Sequence, residues 1–371
     1  MVRGVRSPGS AERRPPTITD VAARAGVSKG AVSFALNGSA GVSEETRAKI
    51  VAAAEEIGFR PNRAARSLSR ARTEVIGLVL NRPMRTLGVE PFFGQLSAGI
   101  STELAANGHS LQTFTVHSVA DELEVYRRWW HEQRVDALVI MDPVPRDRRI
   151  SLVREVGMPA VVIGAPSVAG RLSHVWADDA HGMQQCLEHL VSLGHRRIGH
   201  VGGTPSYAHT RRRTAVLTDA LDAGRFASLA TVTTDFSDTA AAEATRELLD
   251  LPVGDRVTGI IYDSDVMALA GMRALQEAGV SAPEQVSVLS FDDSLLTRLT
   301  HPPLTALSRD TFDFGVLVGR AVIATLADPE HVVSVEAAQP TLVVRDSTGP
   351  APRRGVARRS AHRRSGAQET P

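Results

Sequence analysis

The strongest constraint on this chain is a rhythm that starts at Glu74 and persists to residue 349: short, unbroken apolar runs alternate with helix-length stretches. Val75–Leu80, Leu111–Val116, Asp136–Met141, Pro159–Ile163, Arg197–Gly202, Thr258–Tyr262 and Val286–Phe291 read as strands. Helices are predicted from about Phe93 to Asn107, stopped by Gly108, then through Trp130, and from Asp265 to Ala278, stopped by Gly279. Strands that are apolar without interruption are buried on both faces, the habit of parallel sheets covered by helices. So long a segment exceeds what one hydrophobic core serves, and two α/β lobes are expected. Ligands of such sheets bind beyond the carboxyl ends of the strands, and between two lobes that place becomes a cleft.

The residues before this rhythm follow a different pattern. Thr17 is a candidate N-cap, and Ile18, Val21, Ala22 and Ala25 fall on one helical face. Gly26 permits a sharp turn. Ser28 caps a second helix, Lys29 to Leu36, with Val32, Ala35 and Leu36 inward and Asn37-Gly38 at its end. A third helix begins at Ser43. Glu44 and Glu45 stand in its first turn, where the helix dipole favours anions, and Ile50, Val51, Ala54 and Ile57 form its apolar face. Two short helices joined by a Gly-containing turn make a helix-turn-helix, whose second helix enters the major groove with its exposed N-terminal side chains. Here those are Lys29, Gly30, Ser33 and Phe34. Lys29 suits a guanine and Phe34 a thymine methyl, although Phe34 is equally suited to packing on a neighbouring helix.

Charge supports this division. The whole chain carries 42 Lys+Arg against 41 Asp+Glu, a net +1 that by itself argues against a nucleic-acid binder. The balance is a cancellation: +7 over residues 1–73, −11 over 74–349 and +5 over 350–371. A basic module attached to an acidic one suggests DNA contact confined to one end. Residues 1–16 and 350–371 are rich in Arg, Gly, Pro and Ser and read as a disordered basic arm and tail, either solvated termini or a source of extra phosphate affinity.

Other classes are disfavoured. Runs such as Val75–Leu80 fall far short of the roughly 20 residues of a membrane span. No secretory signal is expected, because no apolar run follows the N-terminal charges, and the single cysteine, Cys186, suits a reducing cytoplasm. His189, His195 and His200 do not make a metal pattern, and His195 reads as a cap. Asp263/Asp265 and Asp292/Asp293 are not catalytic dyads, since neighbours on a strand face opposite ways. No nucleophile elbow or phosphate loop is present. No cofactor, metal site or enzymatic activity is expected.

Thr17–Gly38, Val42-Ser43-Glu44-Glu45-Thr46-Arg47 and Gly58-Phe59-Arg60-Pro61-Asn62-Arg63-Ala64-Ala65-Arg66-Ser67-Leu68, taken in order and spacing, closely resemble the lactose-repressor (LacI) family of bacterial transcription regulators. The resemblance continues through Glu90-Pro91-Phe92-Phe93, Asp178-Asp179-Ala180-His181-Gly182, His189–Ile198, Ser264-Asp265-Val266-Met267-Ala268, Val286–Asp293 and Leu342–Thr348. It implies domains at 17–60 (helix-turn-helix), 61–73 (hinge helix) and 74–349 (a periplasmic-binding-protein-like core of two lobes, with crossovers near 195, 305 and 330). By the same resemblance Asn62, Ala65 and Leu68 belong to a DNA-ordered hinge, with Leu68 as a minor-groove wedge and Ala65 allowing close helix approach, a use of apolar and small residues that the physics supports. With Thr17 and Asn37 these complete the candidate DNA-binding set. Two departures thin direct base readout: Ala31 stands where the family usually has Thr, and Phe34 where Arg is frequent.

For the cleft, the resemblance implies a small effector, a sugar or purine, with a sugar the expected one. Phe92 and Phe93 would stack on it, Arg213 donate, Ser264 contact it weakly and Asp292 accept. Arg211-Arg212-Arg213 is also compatible with a solvated charge run, and Asp292 with an ion pair or cap. The resulting expectation is a cytoplasmic homodimeric repressor on palindromic double-stranded DNA, controlled by linkage to its effector. The rival is a two-lobe sugar-sensing or binding protein without specific DNA recognition.

Overall fold

The computed structural model describes residues 14–37, 40–60, 72–82 and 87–352. They form two compact units that divide between Glu74 and Val75.

The small unit is built from three helices, α1 (Ile18–Ala25), α2 (Lys29–Leu36) and α3 (Glu44–Glu56). Each start is fixed by a local polar contact. The Thr17 hydroxyl and backbone N–H both donate to Asp20 Oδ2, at 2.7 and 2.8 Å. Ser28 Oγ accepts from Ala31 N–H, and Ser43 Oγ from Thr46 N–H, each satisfying a donor that the first turn leaves without an intrahelical partner. Gly26 sits at φ 66°, the left-handed region that favours glycine, and so turns the chain between α1 and α2. Arg47 of α3 donates to the Ala35 carbonyl at the end of α2, and Arg24 pairs with Glu56. The core is of small side chains: Val21, Ala22, Ala25, Val32, Ala35, Ile50, Ala53 and Ala54. Val51, expected to point inward, is exposed, and Ala53 takes its place.

The large unit holds two six-stranded sheets. The first runs in the order β11 (Ser334–Glu336), β5 (Ser173–Trp176), β4 (Ala160–Ile163), β3 (Ala137–Ile140), β1 (Val75–Asn81), β2 (Ser110–Val116), all parallel. Strand β1 divides its side chains by the two-residue period. Ile76, Leu78 and Leu80 join a layer with α4 (Pro91–Ala106) and α13 (Thr311–Ala327). Val79 faces the opposite layer with α5 (Val119–His131) and α6 (Arg148–Glu155). Helices α4 and α13 meet backbone to backbone. A Cβ on Gly99 would fall on the Phe312 carbonyl oxygen, and one on Gly315 on the Leu96 carbonyl oxygen, so only glycine permits this approach.

The second sheet runs β12 (Thr341–Val343), β10 (Thr305–Ser308), β9 (Ser287–Ser290), β8 (Gly259–Tyr262), β6 (Arg197–Gly202), β7 (Ser228–Thr233), with only β12 antiparallel to its neighbour. One face carries α10 (Asp238–Asp250) and α11 (Asp265–Glu277), the other α8 (Asp179–Ser192) and α9 (Ala208–Asp222).

The chain passes between lobes three times, at 177–178, 309–310 and 337–340. These differ from the expected positions near 195, 305 and 330. The first moves furthest, because α8 already belongs to the second lobe: Met183, Cys186, Leu187 and Leu190 pack with Ile198, Leu217 and Leu289. The third moves because β11 extends the first sheet before the chain returns. Among the described residues, no helix is long and apolar enough to cross a membrane.

Candidate functional site

In the small unit, α2 presents Lys29 and Gly30 to solvent at its start, with Phe34 half exposed one turn on and one ring edge beside Gly41. Ser33 is half-buried and accepts from Asn37 Nδ2 at 3.3 Å, so these two polar candidates bond each other. Thr17 is half-buried and holds the α1 capping box, which gives it a structural task whatever else it contacts. Asn62, Ala65 and Leu68 lie outside the described residues.

In the large unit, the carboxyl ends of the strands in both sheets converge on one cavity of about 290 Å³. Phe92, Phe93, Arg213, Ser264 and Asp292 all border it. Their polar groups are largely committed to other protein groups. Arg213 is buried; it donates twice to Asp179 Oδ1, at 3.0 and 2.8 Å, and once to the Asp263 carbonyl, and its guanidinium lies 3.7 Å from the Phe291 ring centre. It is thus neither a free donor nor a solvated charge. Ser264 caps α11, accepting from Met267 N–H. Asp292 pairs with Arg309 at 2.7 Å, the ion-pair role its sequence position left open.

The same pattern holds deeper in the cleft wall. Burial would push the Asp263 carboxyl up, but Arg213, His200 at 3.1 Å and the Gly203 N–H at 3.0 Å hold it well below the usual range. Asp142 and Asp179 are likewise held low against burial, by Arg82 and Arg213 respectively. Two carboxyls go the other way. Burial, reinforced by Asp292, Asp265 and Asp142 and opposed by Arg82, pushes Glu90 up to about 8. Burial and Asp292 push Asp265 up to about 6. At neutral pH Glu90 is therefore mostly a neutral acid, able to donate as well as accept. His189 and His195 serve structure: His189 Nε2 lies 2.9 Å from Thr348 Oγ1, and His195 bridges Thr258 Oγ1 and the Gly349 carbonyl. Among the described residues no cluster of His, Cys, Asp and Glu is placed to hold a metal ion.

The residues that sequence reasoning missed are Arg82, Asp142, Trp176, Phe236 and Arg309, all bordering the cavity. Arg82 Nη1 and Arg309 Nε are buried without a hydrogen-bond partner among the described residues. The available signal was position: Arg82 and Asp142 each stand just past the carboxyl end of an apolar strand, where ligand contacts of such sheets gather.

A helix-turn-helix unit joined in one chain to a two-lobe α/β core with an interlobe cavity defines the class of DNA-binding transcriptional regulators that carry a periplasmic-binding-type core. Comparison with known proteins narrows this. Residues 17–62 match the family model for bacterial regulatory proteins of the lacI family, and residues 187–348 that for periplasmic binding protein-like domains. The regulator CelR of Thermobifida fusca is 33% identical over 325 residues, covering 85% of this chain and 92% of that protein. A structure of a CelR–cellobiose complex superposes with TM-score 0.67 at 29% identity, covering 90% of this chain and 99% of that one. The lac repressor dimer bound to operator and the anti-inducer ONPF gives TM-score 0.78 at 26% identity, covering 91% and 100%. The chain belongs to the lacI family of bacterial regulatory proteins.

Proposed function

We propose that this regulator is a homodimeric repressor whose affinity for a palindromic operator is set by a neutral sugar bound between its lobes. The observation that carries the reading is the character of the cavity. Phe92, Phe93, Trp176 and Phe236 offer apolar ring faces, and Arg82, Arg213 and Arg309 are each matched by a carboxylate partner. Rings suit the C–H faces of a sugar, and compensated charges suit its hydroxyls better than they suit an added ion. The CelR relative with cellobiose bound supports a sugar of this kind. On the family resemblance, Lys29 and Phe34 read bases, Asn62, Ala65 and Leu68 form the hinge, and a cytoplasmic location follows from the task. Binding favours one lobe arrangement, and operator affinity changes by the coupling free energy between the two sites.

The test is a gel-shift series on the DNA upstream of the protein's own gene, with and without cellobiose, maltose and glucose. Sequence-preferring binding at sub-micromolar protein that one sugar changes is the expected outcome. Lys29→Ala should weaken it and lower the slope of log affinity against log salt by about one. Binding indifferent to every sugar overturns the sugar reading, and no sequence preference overturns the operator reading.

A further inference from the structure

Arg82 stands apart from the other arginines of the cleft. It follows β1 in the first lobe and is only 7% exposed. Nε and Nη2 both donate to Asp142 Oδ2, at 3.1 and 2.9 Å. Its guanidinium carbon lies 4.2 Å from the ring centre of Phe236 and 5.1 Å from that of Tyr207, both in the second lobe, and 5.5 Å from Phe93 in its own. Other contacts gather around it. His209 Nδ1 lies 3.8 Å from Asp142 Oδ1, Ala208 N–H donates to the Pro143 carbonyl at 2.9 Å, and the Tyr207 hydroxyl donates to the Asn81 carbonyl at 3.4 Å. Each joins one lobe to the other, and none is made by the segments at 177–178, 309–310 or 337–340 that tie the lobes covalently. They exist only while the lobes are drawn together at this edge.

One donor of this group is unused among the described residues. Arg82 Nη1 has no partner among the described residues, is shielded from solvent, and belongs to a residue bordering the cavity. A buried N–H left without an acceptor costs free energy, and the two bonds from Nε and Nη2 to Asp142 limit how far the guanidinium can turn to place it elsewhere. Building on the proposed function, we infer that Arg82 is the clasp that couples effector binding to lobe closure, its Nη1–H reserved for a neutral oxygen of the effector while the Tyr207, His209 and Phe236 side of the second lobe grips its guanidinium. The acceptor is neutral because Asp142 already balances the charge of Arg82, just as Asp179 and Asp292 balance Arg213 and Arg309 on the same cavity. A ligand anion placed here would add a charge to an arginine that already has its counter-ion, whereas a hydroxyl or ring oxygen accepts the hydrogen bond without adding charge. Filling Nη1 from the cavity side also fixes the guanidinium against the rings, so occupancy and closure strengthen together.

The experiment uses the full chain with spin labels at Glu124→Cys and Asp219→Cys, exposed positions on helices of the first and second lobe; the single native cysteine, Cys186, is buried. Distance distributions by pulsed electron resonance and calorimetric titrations with cellobiose and glucose 6-phosphate are recorded for wild type, Arg82→Met/Asp142→Asn and Arg82→Lys. The double variant removes the donor without stranding a buried carboxylate. It should widen the ligand-free distance distribution and weaken cellobiose binding about tenfold or more, the scale of one charge-assisted hydrogen bond. Arg82→Lys keeps the charge opposite Asp142 but loses the fork, and should lose cellobiose affinity while melting within a few degrees of wild type, which guards against a folding defect. Glucose 6-phosphate should bind more weakly than cellobiose. An unchanged distance distribution, unchanged cellobiose affinity in both variants, or preferred binding of the phosphate ester each overturns the inference. If the wild type binds no sugar at all, the sugar reading falls separately, and the distance measurement on the ligand-free protein decides the clasp.

Discussion

The small unit and the large unit solve the problem of stability in opposite ways. The small unit buries mostly alanine and valine around Ile50, and its helices owe their ends to serine, threonine and glycine placed one residue outside each turn. The large unit buries Trp129, Tyr126, Tyr262 and Phe291 in sheets covered on both faces, and brings helices into contact so close that side chains must be absent. The first is thin and locally encoded; the second is thick and encoded by contacts far apart in sequence. A small core leaves little margin, which suits a module that carries its information on its surface.

The largest effect should come from Gly315→Val. No rotamer avoids the Leu96 backbone, so α13 has to leave α4, and the expected loss exceeds about 4 kcal/mol, enough to abolish the cooperative unfolding of the large unit in urea while the small unit keeps its helical signal. If the urea transition is unchanged, the close approach of these helices is not what holds the first lobe. Ile50→Ala is the converse. It should cost about 2–5 kcal/mol in the small unit alone, seen as an early-melting helical fraction in calorimetry, with the main transition unmoved. A single shifted transition would mean that the two units unfold together and that the contrast fails.

The two units should also respond differently to pH. The folded-state pKa of Glu90, about 8, lies above its ordinary 4.5, so the folded chain keeps a proton that the unfolded chain has released by neutrality. This stabilising contribution is complete below about pH 4.5 and is lost as pH rises towards 8. Asp265, pushed up to about 6, acts in the same direction over a narrower window. Urea midpoints of the large unit should therefore carry, between pH 5 and 8, a falling contribution from Glu90 on the order of a few kcal/mol, set against the opposite slope of His189, His195 and His209, whose pKa values burial lowers. Glu90→Gln, which mimics the neutral acid, should remove most of that fall. A fall of the same size in the variant would show that Glu90 is not its source.

The same contrast explains what the sequence made legible. Local signals carried the small unit: Ser28 and Ser43 cap helices at the positions their spacing indicates, and Gly26 turns the chain. Strands β1, β2, β3, β4, β6, β8 and β9 were readable because each centres on Val, Ile, Leu or Phe between helix-length stretches. Strands β5, β7, β10, β11 and β12 were not, because they are short or half-exposed and owe their place to pairing with distant partners, as Ser334 pairs with His174. The crossover near 195 was misplaced because sequence order does not say which sheet a helix covers. In the cleft, Phe92, Phe93, Arg213, Ser264 and Asp292 were named through family resemblance and border the cavity, but their bonding was hidden. That Arg213 is consumed by Asp179 and Asp263, while Arg82 keeps a donor with no partner among the described residues, depends on groups more than 30 residues away.

Of the three tryptophans, Trp129 and Trp130 lie on α5 against the far layer of the first sheet, and only Trp176 borders the cavity. The molecule is therefore born with an optical probe of its own cleft. An indole that loses its neighbouring water when the cavity fills changes emission against a background of two reporters that do not sense the event. Occupancy can be followed in real time on the untagged, unlabelled protein.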